Sequence, residues 1–168
     1  NGTGSATINI DKLTGAISGT VTITATSVSV PAKSGGKTVQ VIPGALSIVT
    51  VSGDTNITSA VETTSYTATS TDAAGNFIPD THTWSNANGT GTATRNIDKL
   101  TGVLSGTVII TATSVAAPAK SGGKTVQVIP GAATKVLWVT APTTPQTAGT
   151  NWSSFTAEVT DANNNRRT

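Results

Sequence analysis

Apolar and polar residues alternate in short runs along the chain, and the runs are separated by Gly, Asn, Asp and Pro. In Gly106–Ser114 the run GTVIITATS puts Val108, Ile110 and Ala112 on one side and Thr107, Ile109 and Thr111 on the other. Successive side chains of an extended chain point to opposite faces, so the first set is predicted to face a core. Thr125–Ile129 repeats the pattern, with Val126 and Val128 inward and Gln127 outward. Turn chemistry punctuates the runs at Gly53-Asp54, Asp72–Asn76, Asn88-Gly89 and Leu100–Gly102. The spacing predicts strands throughout.

The pattern recurs because the sequence does. Asn1–Ala45 and Asn88–Ala132 agree at 38 of 45 positions at an offset of 87 residues. A period of this size marks a tandem array of small domains. The expected organisation is the back half of a repeat at 1–43, a complete repeat at 44–130 and the front half of another at 131–168.

Differences between the copies assign faces. Ile109 replaces Thr22, so that position should be outward, leaving Val21, Ile23 and Ala25 as the inward set of the first copy. Ala6, Ile8 and Ile10 form one expected face and align with Ala93, Arg95 and Ile97; an Arg there suits an edge strand. In the front halves Tyr66, Ala68 and Ser70 align with Phe155, Ala157 and Val159, and outward Thr69 with Glu158, at an offset of 89. The two added residues are expected in the Pro142–Thr150 loop. About seven strands per repeat, roughly 8–12 residues apart, predict an immunoglobulin-like sandwich with Trp84 as its central aromatic. The expected fold is all-β: tandem immunoglobulin-like β-sandwiches, one complete unit flanked by two half-units.

Composition agrees. Thr and Ser make up about three residues in ten, which favours strands and turns. Charged residues are only 11% and the net charge is +2, with no basic cluster dense enough to track a phosphate backbone, so no nucleic-acid partner is expected. The absence of Cys excludes disulfides and thiolate zinc sites. With no Met, Asn1 is expected to be an internal or processed start. No apolar run approaches the roughly 18 residues of a membrane helix, so no membrane span is expected within these residues.

Few residues carry candidate chemistry. Pro31–Thr38 ends like a phosphate-binding loop, but Pro31 stands where a Gly is needed and a strand is predicted where a helix should follow. GTGTAT lacks the context of a dinucleotide site. His82, the only histidine, reads as an exposed strand-end residue with no triad around it. Glu62 and Glu158 do not occupy equivalent positions and make no repeated acid pair. Lys33, Lys37, Lys120 and Lys124 flank loops, which argues against an isopeptide crosslink. For calcium the candidate ligands are Asp72 and Asn76, repeated as Asp161 and Asn165, with Asp11 and Asp98 also offering oxygens. Calcium takes six to eight oxygens, usually several of them carboxylates. The chain has eight acidic residues in all. The expectation is therefore no metal, no cofactor and no catalytic residue.

DAAGN followed by TWS, then GTGTAT, NIDKLTG, LSGTVIITATS and VIPGA resembles, in that order, the bacterial immunoglobulin-like repeats of invasin- and intimin-type proteins. Related repeats occur in other large bacterial and archaeal surface proteins. The resemblance covers the complete repeat and both partial ones. It implies an extracellular, cell-surface, non-enzymatic module that builds a rod, filament or adhesin shaft. The partners it implies are other copies head to tail or further repeats of the same chain, together with cell-surface glycans or a host or neighbouring cell surface. The second reading is an accessory carbohydrate-binding or spacer module of a secreted hydrolase, for which Trp138 and Trp152 are the candidate sugar-stacking aromatics.

Overall fold

The computed structural model describes residues 2–30, 33–60 and 63–167, and the chain is all-β. The half-repeat at the start forms β1 (Ser5–Asn9), β2 (Lys12–Ile17), β3 (Gly19–Thr26) and β4 (Ser34–Val41). The complete repeat forms β5 (Leu46–Ser52), β6 (Asn56–Thr58), β7 (Thr63–Ser65), β8 (Thr67–Asp72) and β9 (Phe77–Ile78). It continues with β10 (His82–Asn88), β11 (Thr92–Asn96), β12 (Lys99–Leu104), β13 (Gly106–Ser114) and β14 (Ser121–Ile129). The last half-repeat forms β15 (Lys135–Thr140) and β16 (Thr156–Thr160).

Seven strands were expected in the complete repeat. The extra segments have simple origins: β7 and β8 are one run interrupted at Tyr66, and β6 and β9 are only three and two residues long. The sheets are ordered β10-β13-β14-β6, β11-β12-β7 and β5-β8-β9. β6 pairs parallel with β14, and β12 pairs antiparallel with both β11 and β7. This is the sandwich pattern that the spacing implied. In the half-repeats β1 pairs with β2, β3 with β4 and β15 with β16.

The chain forms two compact units. One comprises Asn1–Thr50, Thr69–His82 and Thr113–Gly122. The other comprises Val51–Ala68, Thr83–Ala112 and Gly123–Thr168, and it holds the apolar core. There Ile57, Leu100, Val108, Ile110, Ala112, Val126 and Val128 are all 0% exposed. On β13 and β14 the face assignments hold: Ile109, between Val108 and Ile110, is 44% exposed. On β16 they do not, since Ala157 and Val159 are exposed and Glu158, expected outward, is half-buried. Gly102 on β12 lies against the Val128 side chain of β14, where an added Cβ would come within 2.7 Å of it.

Three expectations change. The turn expected at Leu100–Gly102 lies within β12, where Leu100 is 0% exposed. Ile10 and Ile97 are not part of a strand face. Each begins a two-residue hairpin loop with φ of +57° and +55°, and they are 94% and 70% exposed. A positive φ at the first loop position suits Gly and strains a β-branched residue, so local turn geometry overrides the alternation. Arg95 does lie on an edge strand, β11. Trp84 is only half-buried, on β10 at the edge of its sheet. Tyr66 is the buried aromatic at 1% exposure, and its hydroxyl donates to the Asp54 carbonyl at 3.2 Å. Burial, reinforced by the nearby Asp54 charge, pushes its phenol up to about 12.

Candidate functional site

The most organised polar feature occurs twice. After β8 the chain turns through Asp72-Ala73-Ala74-Gly75-Asn76, and after β16 through Asp161-Ala162-Asn163-Asn164-Asn165. Asp at the start of a turn accepts backbone N–H groups two and four residues on, and Gly or Asn fills the left-handed position. Gly75 has φ of +84° and Asn164 of +66°. Asp72 Oδ1 accepts from the Ala74 and Asn76 amides at 2.9 Å. Asp161 Oδ1 accepts from the Asn163 and Asn165 amides at the same distance.

Each loop then binds the hairpin of the preceding repeat, within a single compact unit. In the first unit Asp72 Oδ2 accepts from the Gly44 amide and from Asn76 Nδ2, both at 2.8 Å. Asn76 Nδ2 also donates to the Ala16 carbonyl at 3.1 Å, and its Oδ1 accepts from the Ser18 amide at 2.8 Å. In the second unit Asp161 Oδ2 accepts from the Gly131 amide and Asn165 Nδ2, again at 2.8 Å. Asn165 Nδ2 donates to the Val103 carbonyl at 2.8 Å, and its Oδ1 accepts from the Ser105 amide at 2.6 Å. Ala16, Ser18 and Gly44 become Val103, Ser105 and Gly131 at the repeat offset of 87, so the same clamp is built twice.

The second clamp has extra members. Ser59 Oγ accepts from Asn163 Nδ2 at 3.0 Å and from Asn165 Nδ2 at 2.8 Å, and donates to the Val103 carbonyl at 2.7 Å. Lys135 Nζ reaches the Ala162 carbonyl and Asn164 Oδ1, and Arg167 donates to the Gly131 carbonyl.

Electrostatics follow from the donors. The Asn76 side chain, then the Gly44 and Asn76 amides, hold the Asp72 carboxyl at about 2. Burial pushes Asp161 up, but donation from Asn165 and Gly131 outweighs it and holds that carboxyl well below the usual range.

All four calcium candidates therefore lie in the clamps. Each carboxylate accepts four hydrogen bonds from protein donors, which matches its lone-pair capacity. Among the described residues no group of three or more His, Cys, Asp or Glu is arranged to hold a metal ion. Asp11 and Asp98 occupy the second positions of the two hairpin loops, where the Asp98 carbonyl accepts from the Tyr66 amide at 2.8 Å. Ser18, Ser105, Gly44, Gly131 and Ser59 were not foreseen as partners. All but Ser59 take part through backbone atoms, which residue type does not reveal. The one signal was their recurrence at offset 87 beside an Asp–Asn pair recurring at offset 89.

His82 departs from its expected exposed position. It opens β10, yet its side chain is only 9% exposed, and Nε2 lies 2.9 Å from Ser70 Oγ and 3.8 Å from Asp80 Oδ2. Ser70 Oγ also lies 3.1 Å from Asp80 Oδ2. The Ser114 hydroxyl, the largest influence, together with the Ala116, Ser70 and Thr81 donors holds the Asp80 carboxyl below its usual range against the effect of burial. These residue types make a nucleophile triad only when the carboxylate holds the ring nitrogen opposite the serine. Here both oxygens approach the same nitrogen, and Ser70 is 1% exposed. The trio is a polar knot within the fold, and Val159 replaces Ser70 in the next repeat.

Of the lysines of the phosphate-loop look-alike, Lys33 lies in the loop before β4, but Lys37 is within the strand and does not flank a loop. Pro31 and Ala32 lie outside the described residues, as does Glu62. Lys37 is on β4, opposite Ile23 of β3. Trp138 and Phe155 pair edge-to-face, with centroids 5.8 Å apart, and Trp152 is 57% exposed. Trp138 and Phe155 align with the buried Val51 and Tyr66.

No protein-family model and no curated protein matches the sequence. Among solved structures the chain is similar to FdeC, an Escherichia coli adhesin, at 21% identity and a TM-score of 0.48. The match covers 90% of this chain and 54% of that one, so the chain spans about half the length of that structure.

Proposed function

We propose that this chain is a structural and adhesive cell-surface repeat protein whose immunoglobulin-like units stack into a rod or filament outside the cell. The observation that carries this reading is the duplicated clamp. A flexible string of domains needs no specific contact between successive repeats, whereas here one set of side chains ties each loop to the hairpin before it. Both polar atoms of each Asn and both oxygens of each Asp are used, which limits the rotation available at the join. The order of motifs resembling invasin- and intimin-type repeats supports the surface setting.

Small-angle scattering of concatemers of the complete repeat tests the reading. The maximum dimension should grow linearly with repeat number, and Asp72→Ala with Asn76→Ala in every copy should reduce that growth towards the square-root law of a flexible chain. Square-root growth with the clamps intact would refute the rod.

A further inference from the structure

The two clamps share their Asp and Asn but differ in the residues around them. Asn163 stands where the first loop has Ala74, Asn164 where it has Gly75, and Arg167 where Ile78 follows it. Lys135 on β15 stands where β5 has Ile48. The side chains of Ala74, Ile78 and Ile48 have no donor, whereas their counterparts all donate. Asn163 Nδ2 reaches the Val103 carbonyl at 3.2 Å, adding to the Asn165 bond to the same oxygen at 2.8 Å. The equivalent Ala16 carbonyl accepts from Asn76 at 3.1 Å, and Ala74 can add nothing to it. Lys135 Nζ ties the second loop to β15 through the Ala162 carbonyl at 2.8 Å and Asn164 Oδ1 at 3.0 Å. Arg167 ties it to the Gly131 carbonyl. The backbone adds to the contrast. Gly75 and Asn164 both take left-handed φ, +84° and +66°, but a glycine loses more conformational freedom when the loop closes.

We propose that the joins between successive repeats are graded, so that the clamp of Asp72 and Asn76 opens first while the clamp of Asp161 and Asn165 holds. The firmness of each join is set by the residues two and three places after the clamp Asp, with Lys135 and Arg167 bracing the firmer loop. This rests on the clamps being the stiffeners of a rod, and it adds where such a rod yields. Bending or pulling opens the Ala74 type of join and leaves the Asn163 type closed.

Native-state hydrogen exchange of the 168-residue chain, followed by NMR, tests this. The Ser18 and Gly44 amides donate to Asn76 and Asp72, and the Ser105 and Gly131 amides to Asn165 and Asp161. Each pair therefore reports the opening of its own clamp. Asn163→Ala should speed exchange at Ser105 and Gly131 by about tenfold and leave the Ile110 and Val126 amides unchanged. Ala74→Asn should slow exchange at Ser18 and Gly44, because it gives the Ala16 carbonyl a second side-chain donor. This variant adds a bond rather than removing one, so it decides the matter even where Asn163→Ala fails to fold. Exchange at Ser105 and Gly131 that is indifferent to the loss of Asn163 overturns the grading. So does exchange at Ser18 and Gly44 that is indifferent to Ala74→Asn. Scattering reads the rod separately: linear growth with indifferent exchange would mean a rod whose joins are equal.

Discussion

Ile109 and Ile110 are adjacent, yet one is 44% exposed and the other 0%. Ile110→Asp buries an unpaired charge and is expected to unfold its unit, while Ile109→Asp should change stability by about 0.5 kcal/mol or less. Ile110→Ala, a gentler probe, should cost about 2–5 kcal/mol, and Ile23→Ala, at the half-exposed counterpart, clearly less. Urea titrations check the series, and equal losses at 109 and 110 would show that the faces are misassigned. The glycines offer a second matched pair. Gly122→Ala has to displace the Val49 carbonyl and should reach the upper part of the ~0.5–3 kcal/mol range of point mutations. Gly35→Ala meets open space and should be neutral or stabilising by about 0.4–1 kcal/mol. Thermal melts of both variants decide this, and a large loss at Gly35 would mean that the site is already covered.

At the scale of elements, the clamp loops are where one side chain organises several backbone groups. Asn165→Ala leaves the Ser105 amide without its side-chain acceptor, while the Val103 carbonyl keeps the Ser59 hydroxyl, and an unsatisfied buried group costs about 1–3 kcal/mol. Asn165→Asp is the sharper test. It replaces the Nδ2 donor 2.8 Å from Asp161 Oδ2 with a second carboxylate oxygen, so the loss at neutral pH should be greater than for Ala and should shrink on acidification. Melting temperatures at pH 7 and 4 check this, and an Asp variant that melts like wild type at pH 7 would mean that the clamp contributes little. Strand faces such as Val108–Ala112 and Val126–Val128 were legible in the sequence because alternation and burial share one period. Ile10 and Ile97 were not, because a two-residue hairpin loop imposes its own φ. The clamp residues were visible as turn formers, but not their partners. Those partners are backbone groups brought close by the fold, 28 to 62 residues away in the chain.

For the whole molecule, charge contributes little to cohesion, and this shapes its response to solution conditions. Charged residues are 11% of the chain, and the Arg166–Glu158 pair at 3.4 Å has an arginine side chain 69% exposed, a kind of contact worth about 0–1 kcal/mol and screened by salt. Stability at neutral pH should therefore change little with added salt. Acid should act through the clamps and through Asp80, whose carboxyl is also held below its usual range. Asp72 is held at about 2, against an ordinary value of 3.8, and Asp161 is held lower still. A carboxyl depressed by folding contributes stability that is fully present above its unfolded value and is lost as pH falls through its folded value. The expected profile is flat from pH 7 to about 4 and declines between about 4 and 2, where the unfolded chain binds protons that the clamps exclude. Replacing both carboxylates, as Asp72→Asn with Asp161→Asn, should lower stability at pH 7 and flatten that decline. Chemical denaturation at half-unit pH steps, at low and at moderate salt, measures both effects. A decline of unchanged steepness in the double variant would place the acid-sensitive groups elsewhere, and a strong salt dependence at pH 7 would show that ion pairs carry more of the fold than their geometry implies.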